Sequence, residues 1–136
     1  MIDGTTNAPT DSTADIDKNI LIIDDDAEIV QSLTHAFKAR GYNVSHAYDG
    51  NAGLAIMDTK CPDLIILDIM MPKRSGFLVL ERIRQSYDEP CPVIMITANE
   101  GRRHQQYAEM LGVTHYLHKP FTIDSLLGRV SELLDN

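Results

Sequence analysis

The chain has 136 residues, 43% of them hydrophobic, and a formal net charge of -8. This is length enough for one domain with a self-sufficient core, and the acidic balance argues against a nucleic-acid-binding surface. No apolar run approaches membrane-spanning length and the amino terminus lacks the basic and apolar regions of an export signal, so a cytoplasmic location is the default expectation. Residues 1–18, rich in Thr, Asp, Ala and Asn, show almost no apolar periodicity and are expected to form a disordered tail ahead of a domain over 19–136.

Ile20 to Ile23 is an unbroken apolar run that ends in Asp24-Asp25-Asp26 and predicts a buried strand. Ile29, Val30, Leu33, Ala36 and Phe37 then recur at helical spacing, with Asp26 read as the helix cap and Gly41 as its stop. Asn43 to Ala47 alternates weakly and reads as an edge strand. Asp49-Gly50 reads as a turn before a short helix over Ala52 to Asp58. Leu64 to Leu67 is a second apolar run, held to strand length by Pro62 and Pro72, and it leads straight into Asp68. After a loop from Met70 to Ser75, Ser75 is placed to cap a helix that buries Phe77, Leu80 and Ile83. Pro90 and Pro92 frame the next connection, and Val93 to Ile96 is the third apolar run and ends in Thr97. Gly101 to Leu111 predicts a polar helix that buries only Tyr107, Ala108 and Leu111, leaves Arg102, Arg103 and His104 on a solvated face, and closes at Gly112. Thr114 to Leu117 reads as the fifth strand, before His118-Lys119-Pro120. Thr122 to Leu134 is the last helix, with Leu126, Leu127, Val130, Leu133 and Leu134 inward.

Strands alternating with helices predict a parallel sheet covered on both faces, with all strand C-termini on one edge. Open sheets of this kind bind ligands at that edge. Asp24, Asp25, Asp68, Thr97 and Lys119 should converge there. Three carboxylates so close raise one another's pKa unless a cation sits among them. An all-oxygen donor set without His or Cys suits Mg²⁺. A lysine and a hydroxyl beside such a site are what a phosphoryl group needs, and a carboxylate can itself be the nucleophile that forms an aspartyl phosphate.

With these residues in place, the chain resembles the receiver domain of two-component response regulators. The matching motifs are Asp24-Asp25 after I-L-I-I, Asp68 in D-I-M-M-P-K-R-S-G, Thr97-Ala98 after V-I-M-I, and Lys119-Pro120-Phe121, and the likeness runs from Asn19 to about Leu134. The resemblance implies a flavodoxin-like (βα)5 doubly wound parallel sheet in the order 2-1-3-4-5. It also implies that Asp68 accepts a phosphoryl group from a histidine kinase or phosphotransfer protein and that the domain is a signalling module, not an enzyme. Asp25 would bind Mg²⁺ directly, Asp24 mainly through water, and the Met70 carbonyl would add a ligand. Thr97 and Lys119 would hold the phosphoryl oxygens. Tyr116 takes the switch-aromatic position, and Gly76 stands where the loop after Asp68 needs a small residue. The signal would leave through the face of the fourth helix, fifth strand and fifth helix toward an output domain or downstream protein. In the family's winged-helix branch that face forms a symmetric dimer; here Ser125 stands where an ion-pairing Glu is usual, though Arg129 keeps its place, so that dimer is expected to be weak or missing.

A haloacid-dehalogenase-like phosphohydrolase shares much of this chemistry, but it places its nucleophile after the first strand as D-x-D-x-T/V. Here Asp24-x-Asp26 is followed by Glu28 in place of that Thr or Val, and there is no room for a cap domain. A receiver-like scaffold that is never phosphorylated would lack an acid, the Thr or the Lys, and none is missing. A nucleotide-binding domain would carry a Gly-rich loop after the first strand. Cys61 and Cys91 each precede a proline at a strand start and should lie near each other, as free thiols, on the edge opposite the acids.

Overall fold

Strands and helices alternate throughout the computed structural model, which describes residues 17–71, 75–86, 91–98 and 101–135. They are β1 (Asn19–Ile23), α1 (Ala27–Ala39), β2 (Asn43–Ala47), α2 (Gly50–Thr59), β3 (Leu64–Asp68), α3 (Gly76–Ser86), β4 (Val93–Thr97), α4 (Arg102–Met110), β5 (His115–His118) and α5 (Ile123–Leu134). All four strand pairings are parallel, and the sheet order is β2-β1-β3-β4-β5, as expected.

The apolar runs occupy the middle of the sheet because both of its faces are covered. Every residue of β3 and of β4 is buried, whereas β2 at the edge is mostly exposed. Side chains alternate between two layers, as the pleat requires. Ile20, Ile22, Leu64, Ile66, Ile94 and Ile96 pack with α1 and α5 on one face. On the other face, Leu21, Ile23, Ile65, Leu67, Val93 and Met95 pack with α2, α3 and α4.

Local signals explain most element ends. Asp26 caps α1, its Oδ1 accepting from Glu28 N at 3.0 Å and Ile29 N at 3.3 Å. Gly41 (φ 93) and Gly112 (φ 85) end α1 and α4 in the left-handed region that favours glycine. Thr122 caps α5 through Ser125 N, and Ser75 Oγ accepts from Leu78 N at the start of α3.

Some expectations are corrected. Asp49-Gly50 is not a separate turn: Asp49 accepts from Ala52 N and so caps α2, which begins at Gly50. His104 does not lie on a solvated face but is half-buried against Phe77, while Arg102 and Arg103 are exposed as expected. Tyr107 is 40% exposed and not buried, because its hydroxyl reaches Glu81 at 2.9 Å on the neighbouring helix. Pro72, Pro90 and residues 1–16 of the expected tail lie outside the described residues. Ahead of Asn19, the Lys18 carbonyl accepts from Asn43 N at 2.9 Å, extending the β1–β2 pairing. At the opposite edge the two thiols converge as expected: Cys61 Sγ lies 3.7 Å and Cys91 Sγ 3.5 Å from the Pro62 carbonyl oxygen, and both are free. Burial pushes the Cys91 thiol up to about 12.

Two substitutions test this packing. Ile66 is fully buried between Ile22 and Ile94, so Ile66→Ala should cost about 2–5 kcal/mol in urea unfolding. Gly128 lies inside α5 with nothing within 4 Å of a Cβ, so Gly128→Ala should stabilise by about 0.5–1 kcal/mol. A destabilised Gly128→Ala protein would contradict the placement of that helix face.

Candidate functional site

The strand C-termini form one edge, and there the apolar sheet meets its polar exceptions. Among the described residues, the buried polar or charged side chains are Asp24, Asp68 and Thr97, and all three stand at this edge. Asp24 follows β1, Asp68 ends β3, and Thr97 ends β4. Because β1, β3 and β4 are sheet neighbours, their ends meet at one edge, where Asp68 is in register with Ile96, one residue before Thr97. Asp24, Asp25 and Asp68 each offer a carboxylate oxygen, and these oxygens lie within 4.8 Å of one another.

Backbone groups hold the acids in place. Asp24 N donates to the Ala47 carbonyl at 3.1 Å, and Asp24 Oδ1 accepts from Asp26 N at 2.9 Å. Asp68 Oδ1 accepts from Met70 N at 3.4 Å. The Gly76 N–H donates to the Ile69 carbonyl at 2.8 Å, so the start of α3 folds back against the end of β3. A Cβ at Gly76 would collide with the Asp68 backbone carbonyl, which is the physical reason for a glycine here.

Lys119 is the countercharge. Its Nζ lies 3.1 Å from Asp24 Oδ2 and 3.7 Å from Asp68 Oδ2. The bond from Lys119 N to the Thr97 carbonyl at 2.7 Å fixes where the side chain starts. One lysine does not balance the site. Burial above all, and then the neighbouring Asp24, push the Asp68 carboxyl up to about 7, with Lys119 and the Met70 N–H opposing. Asp24 Oδ2 is buried and makes no hydrogen bond even with Lys119 at 3.1 Å, so an oxygen with unspent acceptor capacity faces the cluster. Excess buried anionic oxygen, with no nitrogen or sulfur donor in the group, fits a hard divalent cation such as Mg²⁺.

The five residues singled out from sequence are therefore brought together, and Asp25 is the exposed member. Met70 is exposed and sits beside Asp68 through its backbone. Tyr116 lies one layer away, half-buried, its ring 5.4 Å from His118. Two contributions escaped the sequence reading: the Met70 N–H on Asp68 and the Asp26 N–H on Asp24. Both are backbone donors, which no residue type announces.

A family model described as the response regulator receiver domain matches residues 20–131. The chain is similar to the transcriptional regulatory protein DltR of Streptococcus agalactiae, 38% identical over 111 residues that make up 82% of this chain and 49% of that protein. It is also similar to the transcriptional regulatory protein CpxR of Klebsiella pneumoniae, 38% identical over 115 residues, or 85% of this chain and 48% of that one. The chain thus spans about half the length of these curated relatives. Among solved structures, the receiver domain of a Francisella response regulator aligns with TM-score 0.81 and 32% identity, covering 88% of this chain and 98% of that one. The Vibrio cholerae chemotaxis protein CheY4 aligns with TM-score 0.78 and 31% identity, over 87% and 99% respectively.

The raised Asp68 carboxyl sets a pH dependence. Its value in the unfolded chain is near 3.8, so between there and about 7 the folded state holds a proton that the unfolded state has lost. In EDTA, stability should fall as pH rises through that window, by on the order of a few kcal/mol at about 1.4 kcal/mol per unit. Asp68→Asn should remove this part of the slope. Parallel wild-type and Asp68→Asn melting curves between pH 4.5 and 8 would contradict it.

Proposed function

From the premise that this chain belongs to the response regulator receiver domains, we propose that Asp68 is the residue that takes the phosphoryl group, from the phosphohistidine of a sensor kinase or phosphotransfer protein. The observation that carries this is the Asp68 carboxylate at the end of the central strand, buried beside Asp24 and Asp25 with Lys119 3.7 Å away. An Asp68 oxygen attacks phosphorus, the P–N bond to the donor imidazole breaks, and the imidazole leaves with the electron pair. Lys119 shifts from Asp24 to a phosphoryl oxygen, and the Thr97 hydroxyl donates to another. Asp24, Asp25, Asp68 and the Met70 carbonyl would hold Mg²⁺, which supplies neutralisation of the charge that builds between carboxylate and phosphoryl oxygens.

The donor reaches this edge from outside. A groove of about 620 Å³ lies between α1 and the segment after β5, lined by Ile29, Leu33, Phe121 and Ile123 with Lys119 at its margin. It is suited to an apolar helix face that carries a phosphohistidine. Once phosphorylated, the domain signals through Tyr116 and the surface of α4, β5 and α5 to an output domain or downstream protein. Arg129 on that surface contacts His115 Nδ1 at 3.1 Å, and Ser125 supplies no carboxylate, which supports the expectation that the α4-β5-α5 dimer is weak or missing. The domain acts as a signalling module that transforms no substrate beyond its own aspartate. No described helix is long and apolar enough to cross a membrane, and the proposed site of action is the cytoplasm.

Incubation with acetyl phosphate and Mg²⁺ should add one phosphoryl mass. Asp68→Ala or EDTA should abolish it, and Lys119→Ala should slow it by at least tenfold, consistent with losing a charge-assisted contact of about 1.5–3 kcal/mol. Phosphorylation of the Asp68→Ala protein would refute the assignment, and steady turnover of small phosphate esters would favour a phosphohydrolase instead.

A further inference from the structure

Two buried polar atoms in one layer have no partner: the Tyr116 hydroxyl and His104 Nδ1. Buried groups of this kind are normally paired, and an orphan asks for an explanation. They are complementary, since a phenol donates and a neutral imidazole nitrogen accepts. Burial raises the phenol pKa, which keeps it a donor.

Topology places both in the same layer. His104 stands four residues before Ala108, the fully buried residue of α4, so the two share that helix's inward face. Tyr116 pairs with Met95, and both side chains face the layer that contains Ala108. The two aromatic groups are held differently. His104 is fixed from behind by a chain of contacts: its ring lies 5.5 Å from Phe77, Phe77 lies 4.9 Å from Tyr107, and Tyr107 bonds Glu81 at 2.9 Å. Tyr116 rests against His118, which is exposed. His104 is therefore the more tightly braced of the two, and Tyr116 is the one whose ring neighbour is exposed.

We propose that His104 is a positioning residue of the switch, its Nδ1 accepting the Tyr116 hydroxyl hydrogen when Asp68 carries a phosphoryl group. This rests on the reading of Asp68 as phosphoacceptor and adds the residue that receives the moving side chain. Pairing relieves both orphans at once, so it favours the turned state of Tyr116. It also links the active edge, through Phe77, to the Tyr107–Glu81 pair on the surface of α3 and α4.

The test uses the full chain with ¹⁵N-labelled histidine, Mg²⁺ and beryllofluoride, whose fluorine signal reports the adduct on Asp68. The His104 Nδ1 resonance should shift as the adduct forms, and Tyr116→Phe should abolish the shift while the adduct remains. His104→Leu should weaken beryllofluoride binding roughly fivefold to tenfold, and His104→Gln, which keeps an acceptor, should weaken it less. The Tyr116→Phe/His104→Leu double variant should lose no more than the larger single loss, a non-additivity that a merely structural histidine would not produce. An adduct with an unmoved His104 Nδ1, or additive losses, overturns the inference and leaves Asp68 as phosphoacceptor. Failure to form any adduct overturns the Asp68 reading, and the inference falls with it.

Discussion

The burial of two carboxylates at the end of a wholly apolar sheet is the constraint on which the rest depends. Asp24 and Asp68 are almost completely removed from water, and one lysine stands against them. Such an arrangement is costly in a low-dielectric setting unless protons, a cation or hydrogen bonds offset the like charge. The chain supplies two backbone N–H donors and Lys119, which is less than full compensation. The shortfall is useful. A site with surplus negative charge and spare acceptor capacity suits a divalent cation, and such a cation would make the carboxylate compatible with the proposed phosphoryl group.

The surrounding fold is rigid where this chemistry needs it. β3 is flanked by strands on both sides and buried on both faces, so Asp68 is positioned by the most constrained element of the molecule. Gly76 lets the next helix begin against the strand end, with no room for even a methyl group. The sheet also divides the proposed roles. The groove for a phosphodonor lies on the α1 and α5 side, while Tyr116, His104 and the ring contacts of Phe77 and Tyr107 lie on the side of α3 and α4. The proposed donor groove thus opens on one layer and Tyr116 faces the other, while α5 borders both the groove and the proposed output surface.

The elements were almost wholly legible in the sequence because each signal was local, whereas the strand order 2-1-3-4-5 came from the family resemblance. Unbroken branched runs marked Ile20 to Ile23, Leu64 to Leu67 and Val93 to Ile96 as buried strands, and glycines at 41 and 112 marked helix ends. The misreadings fell where a local signal had two meanings. Asp49-Gly50 has turn chemistry, yet the same aspartate caps a helix. His104 sits among arginines and reads as surface, yet its position four residues before Ala108 turns it inward. Tyr107 reads as core, yet a hydroxyl partner on α3 keeps it at the boundary.

By itself the sequence determined the order of elements, the parallel sheet, and the identity of the residues that end its strands: Asp24, Asp68, Thr97 and Lys119. Those follow from periodicity and from the handedness of crossovers, which act within a few dozen residues. Only the tertiary structure decided how the residues divide the charge. It set Lys119 closer to Asp24 than to Asp68, raised the Asp68 carboxyl to about 7, and left the Tyr116 hydroxyl and His104 Nδ1 buried without partners. Such outcomes depend on ångström-scale separations between side chains far apart in the chain and on how much water each one loses. Register, twist and packing set both quantities together, and no short stretch of sequence encodes them.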